Sequence, residues 1–157
     1  MKRFLFLDFD GVINTPRYRQ LLAAHRMPVK DQYRPFFDPI AVENLTKIIS
    51  ATGADIIVTS TWKFKGLAAM QALWSKRSMP GLVIDITPSI MAGFLYNRGM
   101  EINKWIAENV TGHPTDYRYA IIDDGQDFLP EQAPHLITTD PTTGLSEYDA
   151  EKAIQLL

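Results

Sequence analysis

The stretch from Phe4 to Asn14, Phe-Leu-Phe-Leu-Asp-Phe-Asp-Gly-Val-Ile-Asn, constrains the fold more than any other part of the chain. Its first four residues are apolar and bulky, and they predict a short strand that is buried on both faces of a sheet. Asp8 and Asp10 follow at the carboxyl end of this strand. Because side chains two positions apart point the same way along an extended chain, both carboxylates are expected to face one small volume. Gly11 then permits a sharp turn beside them.

Two carboxylates this close repel each other unless a cation lies between them. Ligands that offer only oxygen suit Mg²⁺, which binds one or two carboxylates and keeps several waters that a phosphate can replace. The alternative interpretation of Asp8-Phe9-Asp10-Gly11 is a solvated turn at a strand end, since Asp and Gly are common turn residues. The rest of the chain decides between these two interpretations.

Composition predicts one globular domain over residues 1–157, because a chain of this length can bury a sizeable core. The net charge of −2 gives no electrostatic reason to expect a nucleic acid or a membrane as partner, although a local basic patch is compatible with it. The absence of cysteine excludes disulfides and thiolate chemistry and is consistent with a cytoplasmic location. No apolar stretch approaches the length that spans a bilayer.

Residues 15–38 form a long connection directly after the acidic strand end, and connections of this kind are usually functional or mobile. The segment mixes basic and aromatic residues, which include Arg17, Arg19, Arg34, Tyr18, Tyr33, Phe36 and Phe37. Such a mixture can bind a phosphorylated or nucleic acid ligand by charge and stacking. The alternative is a flap whose aromatic side chains simply pack down, with a short helix over residues 18–25.

A helix is predicted over residues 39–52, where the apolar positions recur at helical spacing behind an Asp-Pro start. A second buried strand follows over residues 54–59. A strand, a helix and a strand with short joints predict a right-handed parallel crossover, and ligands of such sheets bind beyond the carboxyl ends of the strands. The hydroxyl groups of Thr59 and Ser60 are therefore expected near the two acids, unless they serve only as turn or helix-capping groups.

The remaining chain alternates between predicted strands and helices. Strands are expected over residues 82–86, 119–123 and 136–139, helices over residues 66–76, 98–110 and 146–157, and irregular structure over residues 88–97. Arg98 stands just before one of these helices, where it can reach the strand ends or remain a solvated surface side chain. Asp123 and Asp124 end the third strong strand, and Asp127 follows closely.

The order of these motifs resembles the haloacid dehalogenase (HAD) superfamily of phosphohydrolases, and the resemblance covers most of the chain. Asp8-Phe9-Asp10-Gly11-Val12 resembles the first motif of that family, Thr59-Ser60 the second and Asp123-Asp124 the fourth. The third motif is usually a lysine and less often an arginine. Position in the chain favours Arg98 for it, with Lys63 and Lys104 as the other candidates.

The combination is most similar to the small HAD domains of bacterial and phage RNA-repair proteins. It includes Thr-Trp-Lys after the second strand and Arg-Gly-x-Glu-Ile at the start of a helix. The resemblance implies an α/β fold, a Rossmann-like three-layer sandwich with a mainly parallel central sheet. A large cap domain has no room in this chain, so residues 15–38 can supply only a flap or a very small cap.

The resemblance also implies roles for the acidic residues. Asp8 would be the nucleophile that forms an aspartyl-phosphate, and Asp10 would be the general acid and then the general base. Mg²⁺ would be held by Asp8, by the backbone carbonyl of Asp10 and by one of Asp123 and Asp124. Asp127 would lie beside the metal or support the residues that hold it.

The phosphoryl oxygens would then be bound by Arg98 and by Thr59 or Ser60, with Thr59 preferred because it continues directly from its strand. The implied function is a Mg²⁺-dependent phosphatase. Its open site favours a bulky phosphorylated substrate, such as a nucleic acid end, or closure by a partner chain; a nucleotide is the smaller candidate.

Two functions from other classes compete with this one. The first is a phosphate-sensing module without turnover, similar to receiver domains. Asp10 argues against it, because a general acid two residues after the nucleophile is needed for fast hydrolysis. The second is a nucleic-acid-binding domain that uses residues 17–37, for which salt-dependent and Mg²⁺-independent binding of single strands is expected.

Overall fold

The computed structural model of the chain describes residues 1–93 and 95–157. The strands are β1 (Lys2–Leu7), β2 (Lys30–Asp31), β3 (Arg34–Pro35), β4 (Asp55–Val58), β5 (Val83–Ile86), β6 (Met91–Ala92), β7 (Leu95–Tyr96), β8 (Tyr117–Asp123) and β9 (Leu136–Thr138). The α-helices are α1 (Pro16–Ala24), α2 (Pro39–Thr52), α3 (Leu67–Lys76), α4 (Arg98–Asn109) and α5 (Glu147–Leu156). Short 3-10 helices cover Thr61–Lys65, Pro114–Asp116 and Pro130–His135. Among the described residues, no helix has both the length and the apolar character needed to cross a membrane.

The central sheet has the strand order β5-β4-β1-β8-β9, and every neighbouring pair in it is parallel. This confirms the predicted α/β class with a mainly parallel sheet. The chain leaves β1 to build β4 on one side and later returns to build β8 on the other. The carboxyl end of β1 therefore lies at the point where the strand order reverses, which is where open α/β sheets bind ligands.

Helices cover both faces of the sheet, which confirms the three layers. Leu5 and Leu7 of β1 belong to a core cluster that includes the buried faces of α2, α3 and α5. The alternate residues Phe4 and Phe6 belong to a second cluster on the opposite face. There the Trp105 ring of α4 meets both phenyl rings edge to face, at centroid distances of 5.3 and 5.4 Å. The apolar run of β1 is thus buried on both faces, as its sequence predicts.

Helix α2 begins and ends where its sequence predicts. The Asp38 carboxylate caps it by accepting a hydrogen bond of 3.0 Å from the Ile40 backbone amide, and Pro39 occupies the first turn. Gly53 ends the helix in the left-handed conformation, at φ +64°. Gly53 thus lets the chain turn from the end of α2 toward β4, which begins two residues later at Asp55.

The flap, residues 15–38, consists of α1 and the β2–β3 hairpin. Helix α1 starts two residues before the predicted helix, because the Thr15 side chain caps it by accepting a hydrogen bond from the Tyr18 amide. The two ends of the flap are joined by Asp38, whose Oδ2 accepts hydrogen bonds from Thr15 Oγ1 at 2.7 Å and from Arg17 at 2.5 Å. Thr15 and Asp38 are both buried, so the flap is anchored to the domain at its two ends.

The structure differs from the sequence prediction between residues 88 and 97. The sequence predicts irregular structure there, whereas in the structure Met91–Ala92 pairs with Leu95–Tyr96 in a small antiparallel hairpin. Gly93 turns the chain at φ +68°, and Phe94 lies outside the described residues. Strands of two residues are too short to show an alternating apolar pattern, so the sequence carries no periodic signal for them.

Candidate active site

Asp8 is the first residue beyond β1, and it is buried with only 5% of its surface exposed. Its backbone amide continues the ladder to β8 by donating to the Ile122 carbonyl at 3.0 Å. Burial raises the pKa of the Asp8 carboxyl above its ordinary value, and the nearby Arg98 guanidinium opposes this rise. A buried carboxylate at a strand end, away from bulk water, requires positive charge close by.

Asp123 and Asp124 lie beside Asp8, because β8 is the direct neighbour of β1. The three side chains each place a carboxylate oxygen within 4.8 Å of the other two. Burial, followed by the charge of Asp8, raises the pKa of Asp123 to about 7, and burial also raises the pKa of Asp124. Three crowded acids with oxygen-only donor atoms fit a hard divalent cation such as Mg²⁺.

Arg98 brings positive charge into this acidic cluster. As the first residue of α4, it lies 3.1 Å from Asp8 Oδ1 and 3.2 Å from Asp123 Oδ2, both measured to its Nη1. The same nitrogen donates to Thr59 Oγ1 at 3.3 Å. Burial alone would lower the pKa of the Arg98 guanidinium, but the two carboxylates raise it above its ordinary value.

The other two candidates for the basic position have partners of their own. Lys63 is buried and forms an ion pair of 2.5 Å with Glu101 of α4. Burial lowers the pKa of the Lys63 ammonium, while the Glu101 carboxylate opposes that effect. Lys104 is exposed and lies 3.7 Å from Glu108, one turn along the same helix. Of these three basic residues, Arg98 is the one whose charged group contacts the clustered acids.

Thr59 and Ser60 both follow β4 and are both buried, but their hydroxyl groups have different partners. The Thr59 oxygen accepts the hydrogen bond from Arg98 at the acid cluster. The Ser60 oxygen accepts a hydrogen bond of 3.3 Å from the Trp62 amide and so caps the following 3-10 helix. Thr59 is therefore assembled with the acids, and Ser60 has the capping role that sequence reasoning held as its alternative.

Asp10 is exposed at the mouth of the site. Its carboxylate accepts hydrogen bonds from Asn14 Nδ2 at 2.5 Å and from Trp62 Nε1 at 3.1 Å. Among the described residues, the cluster of carboxylates close enough to share a metal does not include that of Asp10. The side-chain alternation predicted that the Asp8 and Asp10 carboxylates share one metal-binding volume, but the Asp10 carboxylate instead contacts Asn14 and Trp62. The metal contact that the resemblance implies for Asp10, through its backbone carbonyl, stays a prediction.

Asp127 lies at the amino end of α4. Its carboxylate accepts from the Arg98 backbone amide at 3.4 Å, and its backbone carbonyl accepts from the Gly99 amide at 3.1 Å. Unpaired amides at a helix start attract negative charge, so Asp127 holds the turn that presents Arg98. In the described part of the chain Asp127 is also outside the group of clustered acids.

Sequence reasoning missed the two side chains that hold Asp10. Asn14 lies four residues further along the turn, and its backbone bridges that of Asp10. Trp62 is buried, with 1% of its surface exposed, and its indole N–H can only donate. An Asn four residues after the second acid was the available local signal, whereas nothing near Trp62 in sequence indicated its partner.

The position of Gly11 provides a test of how tightly the acids are packed. It has φ +74°, and a Cβ added there would overlap the Asp124 carboxylate. Gly53 has a similar φ of +64° with open space around it. Gly53→Ala is therefore expected to cost only backbone strain, about 1 kcal/mol, whereas Gly11→Ala is expected to cost about 2–3 kcal/mol. Urea unfolding of both variants measures the difference, and equal losses would contradict the close contact between Gly11 and Asp124.

Comparison with known proteins provides one match. A family model described as "HAD domain in Swiss Army Knife RNA repair proteins" matches residues 4–150, which is nearly the whole chain. No curated protein and no solved structure shows a significant match. The matched range includes every residue of the candidate site, from Asp8 to Asp127.

Proposed function

The chain belongs to the family of HAD domains in Swiss Army Knife RNA repair proteins, and we propose that it is a Mg²⁺-dependent phosphatase acting on a phosphate monoester. The observation that carries this proposal is the assembly around Asp8. Two further acids place oxygens within 4.8 Å of its carboxylate, and Arg98 lies 3.1 Å away. A nucleophile, clustered metal-type ligands and a phosphate-binding cation are the parts that phosphoryl transfer through a carboxylate needs.

Asp8 is the proposed nucleophile. One of its carboxylate oxygens attacks phosphorus in line with the leaving oxygen, so a P–O bond to Asp8 forms while the P–O bond to the alcohol breaks. The resulting aspartyl-phosphate divides one difficult displacement into two easier ones. Water then attacks phosphorus, inorganic phosphate leaves, and the Asp8 carboxylate is restored.

Asp10 is the proposed proton carrier for both halves of the reaction. It donates its proton to the leaving alkoxide and later accepts a proton from the attacking water, so the proton balance closes over one turnover. Asn14 and Trp62 hold its carboxylate from two directions. Held in this way, the side chain keeps one orientation, and a fixed orientation is what general acid and base catalysis requires.

Arg98 and Thr59 are the proposed ligands of the phosphoryl oxygens. Arg98 Nη1 lies near oxygens of Asp8, Asp123 and Thr59. A phosphoryl group beside Asp8 would share these donors and receive charge-assisted hydrogen bonds from the guanidinium. Such donors offset the negative charge that develops on the equatorial oxygens in the transition state.

The residues proposed to hold Mg²⁺ are Asp8 and Asp10, the latter through its backbone carbonyl, together with Asp123 or Asp124. When bound, the ion supplies positive charge that balances the crowded carboxylates and the phosphoryl group. The raised pKa values of Asp8 and Asp123 support this assignment, because burial makes their charged forms costly without a cation.

The family supports a nucleic acid end as substrate ahead of a nucleotide or another metabolite. Residues 1–157 form the proposed single HAD-like domain, with residues 15–38 as its flap. A helix of nine residues and a two-strand hairpin are too small to enclose a substrate, which supports a bulky ligand. The composition without cysteine supports a cytoplasmic location.

A phosphate-sensing module similar to receiver domains is the alternative that this site supports less well. A slow phosphoacceptor needs the nucleophile, the metal ligands and a cation but no general acid. Here Asp10 is both present and held by two hydrogen bonds at the mouth of the site. A general acid that is held in position at the mouth of the site favours hydrolysis.

Removal of divalent metal is expected to lower the rate of phosphate release from p-nitrophenyl phosphate by at least about 100-fold. The measurement compares the protein in excess Mg²⁺, in EDTA, and in EDTA followed by excess Mg²⁺, which should restore the rate. A rate that EDTA leaves unchanged would contradict the metal dependence. No release from this substrate or from phosphorylated oligonucleotides would favour the sensing module.

A further inference from the structure

A cleft of about 370 Å³ extends from the mouth of the site along the flap. Its lining includes Asp10, Gly11 and Asp124 of the candidate site. It also includes Arg19 of α1 and Arg34 of β3. The cleft therefore connects the proposed proton carrier to two arginines that the proposed reaction does not use.

Both arginines are available to an anion. Their side chains are exposed, and within the described ranges neither forms an ion pair or a side-chain hydrogen bond. Two other arginines near the flap do have carboxylate partners: Arg17 pairs with Asp38 at 2.5 Å and Arg77 pairs with Asp31 at 2.9 Å. Asp38 and Asp31 of the flap thus neutralise Arg17 and Arg77, whereas Arg19 and Arg34 have no carboxylate partner among the described residues.

Arg34 is also held in place in an uncommon backbone conformation. Its φ is +83°, although it is not a glycine and precedes a proline, which restricts it further. Arg77 stabilises this conformation by donating to the Arg34 carbonyl at 2.9 Å and to the Pro35 carbonyl at 2.7 Å. A strained conformation that other residues support is typical of functional positions.

The Arg34 side chain is linked to the proposed proton carrier, Asp10, through Trp62. Its guanidinium lies 4.7 Å from the centroid of the Trp62 ring, a cation–π contact. The same indole donates to the Asp10 carboxylate at 3.1 Å. The Trp62 side chain therefore contacts both the Arg34 guanidinium and the carboxylate of Asp10, which is proposed to protonate the leaving oxygen.

We infer that Arg19 and Arg34 bind a second phosphate, carried by the leaving group of the substrate. The inference rests on the proposed function: because Asp10 protonates the leaving oxygen, the leaving group must occupy the cleft that Asp10 opens onto. Guanidinium groups bind phosphate oxygens by paired, charge-assisted hydrogen bonds. The substrate class is a phosphate monoester whose alcohol carries another phosphate, as in a nucleoside 3′,5′-bisphosphate or a terminally phosphorylated oligonucleotide.

The test compares kcat/KM for p-nitrophenyl phosphate, a nucleoside 3′,5′-bisphosphate and a short phosphorylated oligonucleotide. Arg19→Gln and Arg34→Gln are each expected to lower kcat/KM for a substrate with two phosphates about fivefold more than for p-nitrophenyl phosphate, and the double variant about 20-fold more. A loss of kcat/KM with both the bisphosphate and the oligonucleotide indicates that the arginines bind a phosphate close to the reacting one. A loss with the oligonucleotide alone indicates that they bind a phosphodiester further along the strand. Equal effects on all three substrates overturn the inference.

Arg118→Gln is the matched control, because Arg118 is exposed near the amino end of β8 and its loss removes the same charge. This variant should leave the ratio of kcat/KM values between the substrates unchanged. If it changed that ratio as much as Arg34→Gln does, the effect would be one of net charge, and the inference would be overturned. Arg34→Lys keeps the charge without the planar guanidinium and should recover part of the loss. Thermal unfolding of each variant identifies any loss of fold.

A binding measurement separates this inference from the proposed function. If neither p-nitrophenyl phosphate nor a phosphorylated oligonucleotide is hydrolysed, the proposed function fails by itself. Fluorescence anisotropy of a labelled, phosphorylated oligonucleotide still tests the two arginines, in the Asp8→Asn background to prevent turnover. Each Arg→Gln change is expected to reduce the slope of log Kd against log salt by about 0.7. An unchanged Kd and slope in the double variant overturn the inference.

Discussion

Replacing Asp8 with asparagine is expected to lower kcat for phosphate release by at least about 1,000-fold. The amide has nearly the same shape as the carboxylate, but its neutral oxygen is a poor nucleophile toward phosphorus. The variant also removes one of the acids proposed to hold Mg²⁺. Both losses act on the transition state, so kcat should fall much more than KM changes.

The fold should survive this substitution. The Asp8 carboxyl is buried and its pKa is raised, so a neutral group of the same size removes a desolvation cost. The loss of its contact with Arg98 opposes that gain, because the 3.1 Å ion pair disappears. The two effects act in opposite directions, and the midpoint of thermal unfolding is expected to stay within a few degrees of the native value.

Asp55→Asn is the matched control for the activity of Asp8→Asn. Asp55 begins β4, next to β1 in the sheet, and pairs in register with Phe4, so it lies at the opposite end of the strands from the site. The same chemical change there should leave kcat within about twofold of the native value. Full activity of Asp8→Asn would rule out Asp8 as the nucleophile, while equal losses in both variants would indicate damage to the sheet.

Replacing Lys63 with methionine is expected to lower the free energy of unfolding by about 3–5 kcal/mol. The Lys63 and Glu101 side chains form a 2.5 Å ion pair with exposed fractions of only 3% and 1%. Methionine fills the space of the lysine stem but leaves the Glu101 carboxylate buried without its partner. An uncompensated buried charge is among the most costly single changes in a protein interior.

The pair also has a consequence for the site. Lys63 belongs to the 3-10 helix after β4, and Glu101 belongs to the first turn of α4, the helix that begins with Arg98. The other Glu101 oxygen accepts from the Ile90 amide at 3.0 Å, and Lys63 also donates to Thr87 at 3.0 Å. The pair therefore joins three segments around the start of α4, and its loss is expected to raise KM by displacing Arg98.

Two further variants isolate the contribution of the ion pair. Lys63→Met combined with Glu101→Gln removes both charges and should recover at least half of the lost stability, because no buried charge remains unpaired. Lys104→Met removes a lysine from an exposed pair on α4 and should change stability by less than about 0.5 kcal/mol. Urea unfolding provides all three values. A loss under about 1 kcal/mol for Lys63→Met would contradict the structural importance of the pair.

Local patterns in the sequence were sufficient to predict most of the secondary structure. Helix α2 ends at Thr52, as predicted, and its Asp-Pro start is observed with Asp38 as the cap. Helix α5 begins next to the predicted start at residue 146, where Ser146 and Asp149 form a reciprocal capping box. The apolar run of β1 is buried as predicted. These signals depend on residues within four positions of one another, so they can be read without knowledge of the tertiary structure.

The assembly of the acids also followed from the sequence, although it involves distant residues. Asp8 and the pair Asp123-Asp124 each end a strand, and parallel strands bring their carboxyl ends to one edge. The topology that the sequence implies therefore brings these three acids together, as the structure shows. The family match over residues 4–150 confirms the resemblance on which the assignment of their roles depended.

Local patterns were thus sufficient for the order along the chain of the α-helices and the central-sheet strands, and for the sheet edge at which the acids meet, but not for the two small hairpins. Only the tertiary structure showed which basic residue joins those acids and which side chains hold Asp10. Trp62 is 52 residues from Asp10 and Lys63 is 38 residues from Glu101, and each of these pairs depends on how separate elements pack. Periodicity and capping act between near neighbours, whereas the partner of a buried polar group is set by whatever element packs against it.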